Sequence, residues 1–372
     1  MMRHRSTVVW TALAGIAILL RIVASEATIE QVYSRTLFPT LRLGIDWLFG
    51  WLPFAWVYVL VIVLVGIGLR NLVRAFRTKK PFGQRLVTWL RRTWTLLCAA
   101  VFLFLVLWGY NYGRLPLETQ FDIEPAAMSV DDLEAELRTI TDELVRRRAV
   151  LPGVTDSAYL RLPAPRSELT DFLRPHLERT LARHGYPTAG EVRVRQLQPK
   201  GVLLRISTAG VYLPWTGEGH VDAGLHELQL PFVTLHEMSH GYGIADEGSC
   251  NFMAYLAGTE SDDPILEYVA TFSYWRYLAS SYRRYRAETY GDFYQEELPI
   301  GVKSDLRAVY AEMEKYPDIL PEFRDLAYDS YLKVQGIDEG LKNYSRIIML
   351  ATAYRKSRGL APHLQNVDGV ED

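Results

Sequence analysis

Disulfides are the first thing this chain lacks. Its 372 residues hold two cysteines, Cys98 inside an apolar run and Cys250 alone in the later part, so no disulfide framework braces the fold. An excess of charge is missing too. The formal net charge is −2, which leaves no electrostatic footprint for nucleic acid. Neither internal repeats nor low-complexity tracts occur. Acidic residues are absent from residues 70–92, where Arg70, Arg74, Arg77, Lys79, Lys80, Arg85, Arg91 and Arg92 stand without a counter-charge.

The near-neutral average conceals an asymmetry, because the first third is far more apolar than the rest. Residues 7–24, 51–69 and 93–112 are apolar runs, each about long enough to span hydrocarbon. The first has a second reading as a cleaved signal peptide, since Arg3 and Arg5 precede it and Ala24-Ser25 follow. Its span-like length and poor cleavage site favour retention. The all-basic stretch between the second and third runs predicts a cytoplasmic loop, and Arg3 and Arg5 put the N-terminus on the same side. Residues 24–50 mix Glu26, Glu30 and Asp46 with Arg35 and Arg42, as an outside loop does. Everything after Tyr112 is then extracytoplasmic. Trp108 to Tyr112 reads as the exit from the bilayer, with aromatics at interface depth.

Beyond the spans, Ser129 predicts an N-cap for a helix that buries Leu133, Leu137, Ile140 and Leu144. Ser167 opens a second helix running to about His184. Residues 192–197, 203–207 and 210–214 read as short strands, with Pro214 stopping the last as at a sheet edge. Asp263-Pro264 starts a long helix with Tyr268, Phe272, Trp275, Tyr282 and Tyr285 along a core stripe. Helices over 303–315, 321–334 and 338–356 close the domain.

The chemistry concentrates at His236-Glu237-Met238-Ser239-His240. On a helix, positions i and i+4 share a face, so both imidazoles reach one metal ion while Glu237 faces a water on it. That is the arrangement of a zinc hydrolase, with one ion, a third ligand from elsewhere and a glutamate base. Leu230, Phe232, Val233 and Leu235 would bury the helix, and Gly241 and Gly243 would end it. Two histidines that merely pack a helix are the plain alternative. Four of the chain's eight histidines (His220, His226, His236, His240) fall in this one stretch, which favours metal.

The third ligand has two candidates. Asp246 completes a pattern like that of metzincins, with Asp in place of the third His. Glu247, followed by Gly248-Ser249-Cys250-Asn251, resembles the turn in which gluzincin peptidases place their glutamate. Either choice requires the chain to turn back after His240. Glu218 and His220 are candidates to line a cleft, Asn251 to support a ligand, and His226-Glu227 to do so or to be a surface pair. Tyr331 and Tyr344 are possible donors to an oxyanion.

Several stretches together resemble the bacterial domain-of-unknown-function family 3810. They are Gly210-Val-Tyr-Leu-Pro-Trp-Thr-Gly-Glu218, Leu230-Pro-Phe232, the His-Glu-x-x-His block, Gly243, Glu247, Asn251 to Leu256, and Trp108 to Pro116 with the three runs before it. The resemblance implies a membrane-anchored protein with a zincin-like domain and no established activity. Many members carry further acids where this chain has Gly248 and Ser249. Glu247 matches in both forms, which favours it over Asp246.

The expectation is therefore a three-helix membrane anchor (residues 1–114) and an α+β, mostly helical zincin-like domain with a small sheet (115–372). It is expected in the bacterial cytoplasmic (inner) membrane, with the lipid bilayer as one partner and an unknown envelope peptide or protein as substrate. Zn2+ on His236, His240 and Glu247, with Glu237 as base, would hydrolyse peptide bonds. The rival expectation is a non-enzymatic envelope protein whose metal is structural or vestigial.

Overall fold

The computed structural model describes residues 2–78, 81–155, 160, 166–319 and 346–360. The chain opens with α1 (Met2–Val23). A helical stretch follows, built from α2 (Glu26–Thr28), a π-helix (Ile29–Leu37) and α3 (Phe38–Phe49). Two long helices come next, α4 (Trp56–Arg77) and α5 (Phe82–Leu107). Among the described residues, α1 from Arg5, α4 and α5 are long and apolar enough to cross a membrane. Their apolar side chains point outward, Ile62 and Val87 among them. Such a surface suits hydrocarbon and not water. Helices α1 and α5 pack together through Trp10 on Phe102 and a hydroxyl contact of 2.9 Å between Thr7 and Thr95.

The span boundaries differ from those expected. Helix α4 starts at Trp56 rather than residue 51, because Pro53 interrupts the chain and the buried Glu218 carboxylate accepts the Trp56 N–H at 2.8 Å. It then continues past Leu69 through Arg70, Arg74 and Arg77. Helix α5 likewise takes in Arg85, Arg91 and Arg92 and stops at Leu107, and Gly109–Gly113 form a 3₁₀ turn. Residues 26–49, read as a loop from their mixed charges, are helical. Those charges serve protein contacts instead: Glu30 is buried against Arg114 at 2.8 Å, and Arg42 is buried against Asp46 at 2.5 Å.

The remainder is a helical shell around a small sheet. It comprises α6 (Leu117–Phe121), α7 (Val130–Ala149), α8 (Leu169–Arg183), β1 (Val194–Leu197), β2 (Gly210–Leu213), β3 (Glu218–Asp222), α9 (Leu230–Gly241) and α10 (Glu247–Thr259). After these come α11 (Pro264–Tyr285), α12 (Ala287–Asp292), α13 (Ile300–Met313) and α14 (Arg346–Ser357). Ser129 caps α7 by accepting from the Asp132 N–H at 3.1 Å, and Asp263 caps α11 through the Leu266 N–H at 2.9 Å. The aromatic stripe of α11 is core from Tyr268 to Tyr282, whereas Tyr285, in the last turn, is exposed. The helix expected over 321–334 with Tyr331, and residues 338–345 of the next expected helix with Tyr344, lie outside the described residues.

The sheet runs β1-β3-β2, with β1 parallel and β2 antiparallel to β3. Residues 203–207 form no strand but a 3₁₀ turn at Leu204–Ile206. The central strand β3, Glu-Gly-His-Val-Asp, carries little intrinsic β propensity. Its end residues offset this by bonding backbone elsewhere. The Asp222 carboxylate accepts from the N–H groups of Gly201, Leu203 and Gly224, each at 2.7 Å.

Candidate functional site

Helix α9 carries the His-Glu-x-x-His block. From Thr234 to Gly241 every residue of it is buried, so it runs through the core with no solvated face. His236 and His240 sit one turn apart and present their rings to the same side. The helix ends at Gly243, whose φ of +87° only glycine adopts at little cost. There Ile244 N–H reaches the Ser239 carbonyl at 3.1 Å and Gly243 N–H the His240 carbonyl at 2.9 Å. Gly241, expected to help turn the chain, stays helical. A Cβ there would meet Val192 at 2.2 Å, so its role is close packing.

The reversal brings Glu247, first residue of α10, back over the histidines. His236 Nε2 and Glu247 Oε2 are 3.1 Å apart, the two Nε2 atoms 3.2 Å, and His240 Nε2 and Glu247 Oε2 3.6 Å. A tetrahedral zinc with ligands about 2.0–2.1 Å away has ligand–ligand edges of about 3.3–3.4 Å. The three buried side chains form a group that could hold a metal ion. Their far sides support this. His236 Nδ1 lies 2.8 Å from Asn251 Oδ1, and His240 Nδ1 lies 2.8 Å from the Ile244 carbonyl. Donation outward from both Nδ1 atoms leaves both Nε2 lone pairs facing the carboxylate. Three buried acceptors this close need a positive charge among them, either a proton on an imidazole or a metal cation. Burial pushes Glu247 up, but the imidazoles of His240 and His236 outweigh it and hold the carboxyl well below its usual range.

Glu237 packs against the sheet, within electrostatic range of both histidines and Glu247. A Cβ on Gly210 of β2 would meet Glu237 Oε1 at 2.5 Å, and one on Gly219 of β3 would meet its Cβ at 2.9 Å. Glycine at both positions makes the room this carboxylate occupies. It is 3% exposed, and Oε2 has no hydrogen-bond partner among the described residues. Burial pushes the group up to about 7; the imidazoles pull against that and Glu247 adds to it. Among the described residues strand β2 is an edge of the sheet. In its register with β3, Ala209 accepts from Asp222, so bonded pairs alternate from there and the N–H and C=O groups of Gly210 and Tyr212 point away from β3.

Residues 33–352 match a family model described as "Protein of unknown function (DUF3810)". The chain belongs to that family. No curated protein and no solved structure matches it. The DUF3810 region takes in the sheet, α9 and α10, and all three converging donors.

Within that region the other sequence candidates fall elsewhere. Asp246 caps α10, accepting from the Ser249 N–H at 2.6 Å, and so is turned away from the histidines. Glu218 and His220 do not line the Glu237 side. Side chains alternate along β3, Gly219 faces α9, and Glu218 and His220 therefore face the opposite side of the sheet. His226 holds the turn before α9 through the Leu228 N–H at 3.2 Å. Cys250 Sγ lies 3.3 Å from the Ile244 carbonyl; burial pushes this thiol up to about 12, so it donates there and stays protonated.

Three supporting groups escaped the sequence reading. Trp108 is buried against the site. Its Nε1 donates to the His240 carbonyl at 2.7 Å and its ring meets the His240 imidazole edge-on at 5.8 Å. Arg114 donates to the Gly243 carbonyl at 2.8 Å. Tyr277 lies off the aromatic stripe of α11, which was its only signal, and donates to Asn251 Oδ1 at 3.1 Å. In the purified full chain, Glu247→Ala should abolish retention of a divalent ion measured by elemental analysis. Asp246→Ala should keep the ion and cost about 1 kcal/mol of stability as a lost cap. Equal metal loss in both variants would contradict this division of roles.

Proposed function

We propose that this chain is a membrane-anchored zinc peptidase with its site outside the cytoplasm. The observation that carries the reading is the convergence of three lone pairs, from His236, His240 and Glu247, beside a buried carboxylate with an unpaired oxygen. A purely structural metal site has no use for Glu237. Burying an unpartnered carboxylate costs several kcal/mol, on the order of that for any unpaired ion. A substrate water offers that oxygen the missing donor.

A zinc ion held by His236, His240 and Glu247 would polarise a peptide carbonyl and lower the pKa of a water toward neutrality. The protein's own residues do the rest. Glu237 accepts the water's proton and returns it to the leaving amine. The N–H and C=O groups of Gly210 and Tyr212, which meet no other strand among the described residues, pair with an extended peptide and set it alongside Glu237. Asn251, steadied by Tyr277, and the Ile244 carbonyl fix the tautomers of the two histidines. The basic ends of α4 and α5, from Arg70 to Arg92, lie on the cytoplasmic side.

Two measurements test this. Glu237→Gln keeps the shape of the side chain, so the variant should fold and retain zinc while losing about 10²–10⁴-fold in hydrolysis of a quenched fluorescent peptide library. Equal turnover by parent and variant, or none by either, would leave only the metal site. A reporter active only outside the cytoplasm should be silent when fused after Lys80 and active when fused after Asp372. Activity of both fusions, or of neither, would contradict the orientation.

A further inference from the structure

The open edge of β2 ends where the chain meets its own membrane helices. After Leu213 the β2–β3 turn carries Trp215. The indole Nε1 of this residue bonds the carbonyl of Ala100 in α5 at 3.3 Å, and its ring lies 6.0 Å from Phe104. Ala100 precedes the end of α5 by seven residues, about 10 Å along the helix axis. Trp215 therefore reaches down beside a helix apolar enough to lie in hydrocarbon.

A second element marks the same level. Helix α3 buries Arg42, which donates to the Gly217 carbonyl in that turn, and bonds Asp46. Its other face exposes Leu43, Trp47 and Leu48, with Trp47 82% exposed. A helix with its ion pair turned into the protein and tryptophan and leucine turned out is built to lie in a bilayer interface. The turn is thus held between an interfacial helix and a spanning one.

From this level β2 leads directly to Glu237. Gly210, against the Glu237 carboxylate, is five residues from Trp215, at most about 17 Å of extended chain. We infer that the site acts on membrane-tethered peptides, binding along β2 the extended stretch that leaves the bilayer and cutting it about three to five residues from the membrane boundary. The inference rests on the peptidase reading and adds its substrate class. The bilayer supplies one end of the substrate's position and the strand edge supplies its direction, so distance from the anchor selects the bond.

The test uses the full chain with zinc in vesicles of phosphatidylethanolamine and phosphatidylglycerol. Substrates are peptides with a randomised stretch, anchored by palmitate at either end through Gly-Ser spacers of increasing length, beside the same peptides without palmitate. Cleavage should be confined to one anchoring polarity. The cut should hold its distance from the palmitate as the spacer grows, moving into the spacer or falling about tenfold or more rather than following the randomised stretch. Simple concentration on the vesicle would raise turnover but would not fix that distance. Cuts that follow the sequence, or equal turnover of unanchored peptides, would overturn the inference and leave the peptidase reading standing. No cleavage of any form would remove both.

Discussion

The reversal of the chain at Gly243 is the constraint on which the site depends. Continued as a straight helix, α9 would leave Glu247 about 10 Å along the axis from His240, too far to share an ion. A positive φ that other residues adopt only under strain brings the start of α10 back over the histidines. The turn is held from outside as well. Arg114 binds the Gly243 carbonyl, Trp108 binds that of His240, and Phe38 fills the space beside Gly243. Each of these three residues belongs to the segment that precedes the helical shell.

That origin ties the apolar helices and the site together. Trp108 follows the last residue of α5, and Arg114 is fixed in turn by Glu30. Glu218 accepts the first N–H of α4, and Trp215 bonds α5. The long apolar helices α4 and α5 are thus bonded to the sheet that carries the site. Trp108, just past the end of α5, holds the main chain of His240 and packs its ring edge-on against the imidazole, so the end of α5 is in direct contact with His240.

What the sequence disclosed follows from which interactions are local. The pairing of His236 with His240 is a property of helical spacing, and the caps at Ser129 and Asp263 act within four residues. These are legible one-dimensionally, as are three apolar runs. The span boundaries were not, because Pro53 and Glu218 set the start of α4 and the second lies far away in sequence. Strand β3 was missed because its end residues Glu218 and Asp222 are satisfied by distant backbone, and its alternation is what turns Glu218 and His220 from the Glu237 side. The buried contact of Trp108 was not legible for a simple reason. An aromatic next to a span looks the same in sequence whether lipid or a buried carbonyl receives it.

The central claim is that His236, His240 and Glu247 hold one zinc with a position left for chemistry. X-ray absorption at the zinc edge, on the full chain in detergent, reads the shell directly. The account predicts light ligands only, at about 2.0–2.1 Å, with two imidazoles and at least one oxygen beyond the Glu247 carboxylate. A sulfur at about 2.3 Å, which Cys250 would have to supply, or a shell filled by four protein ligands would contradict it.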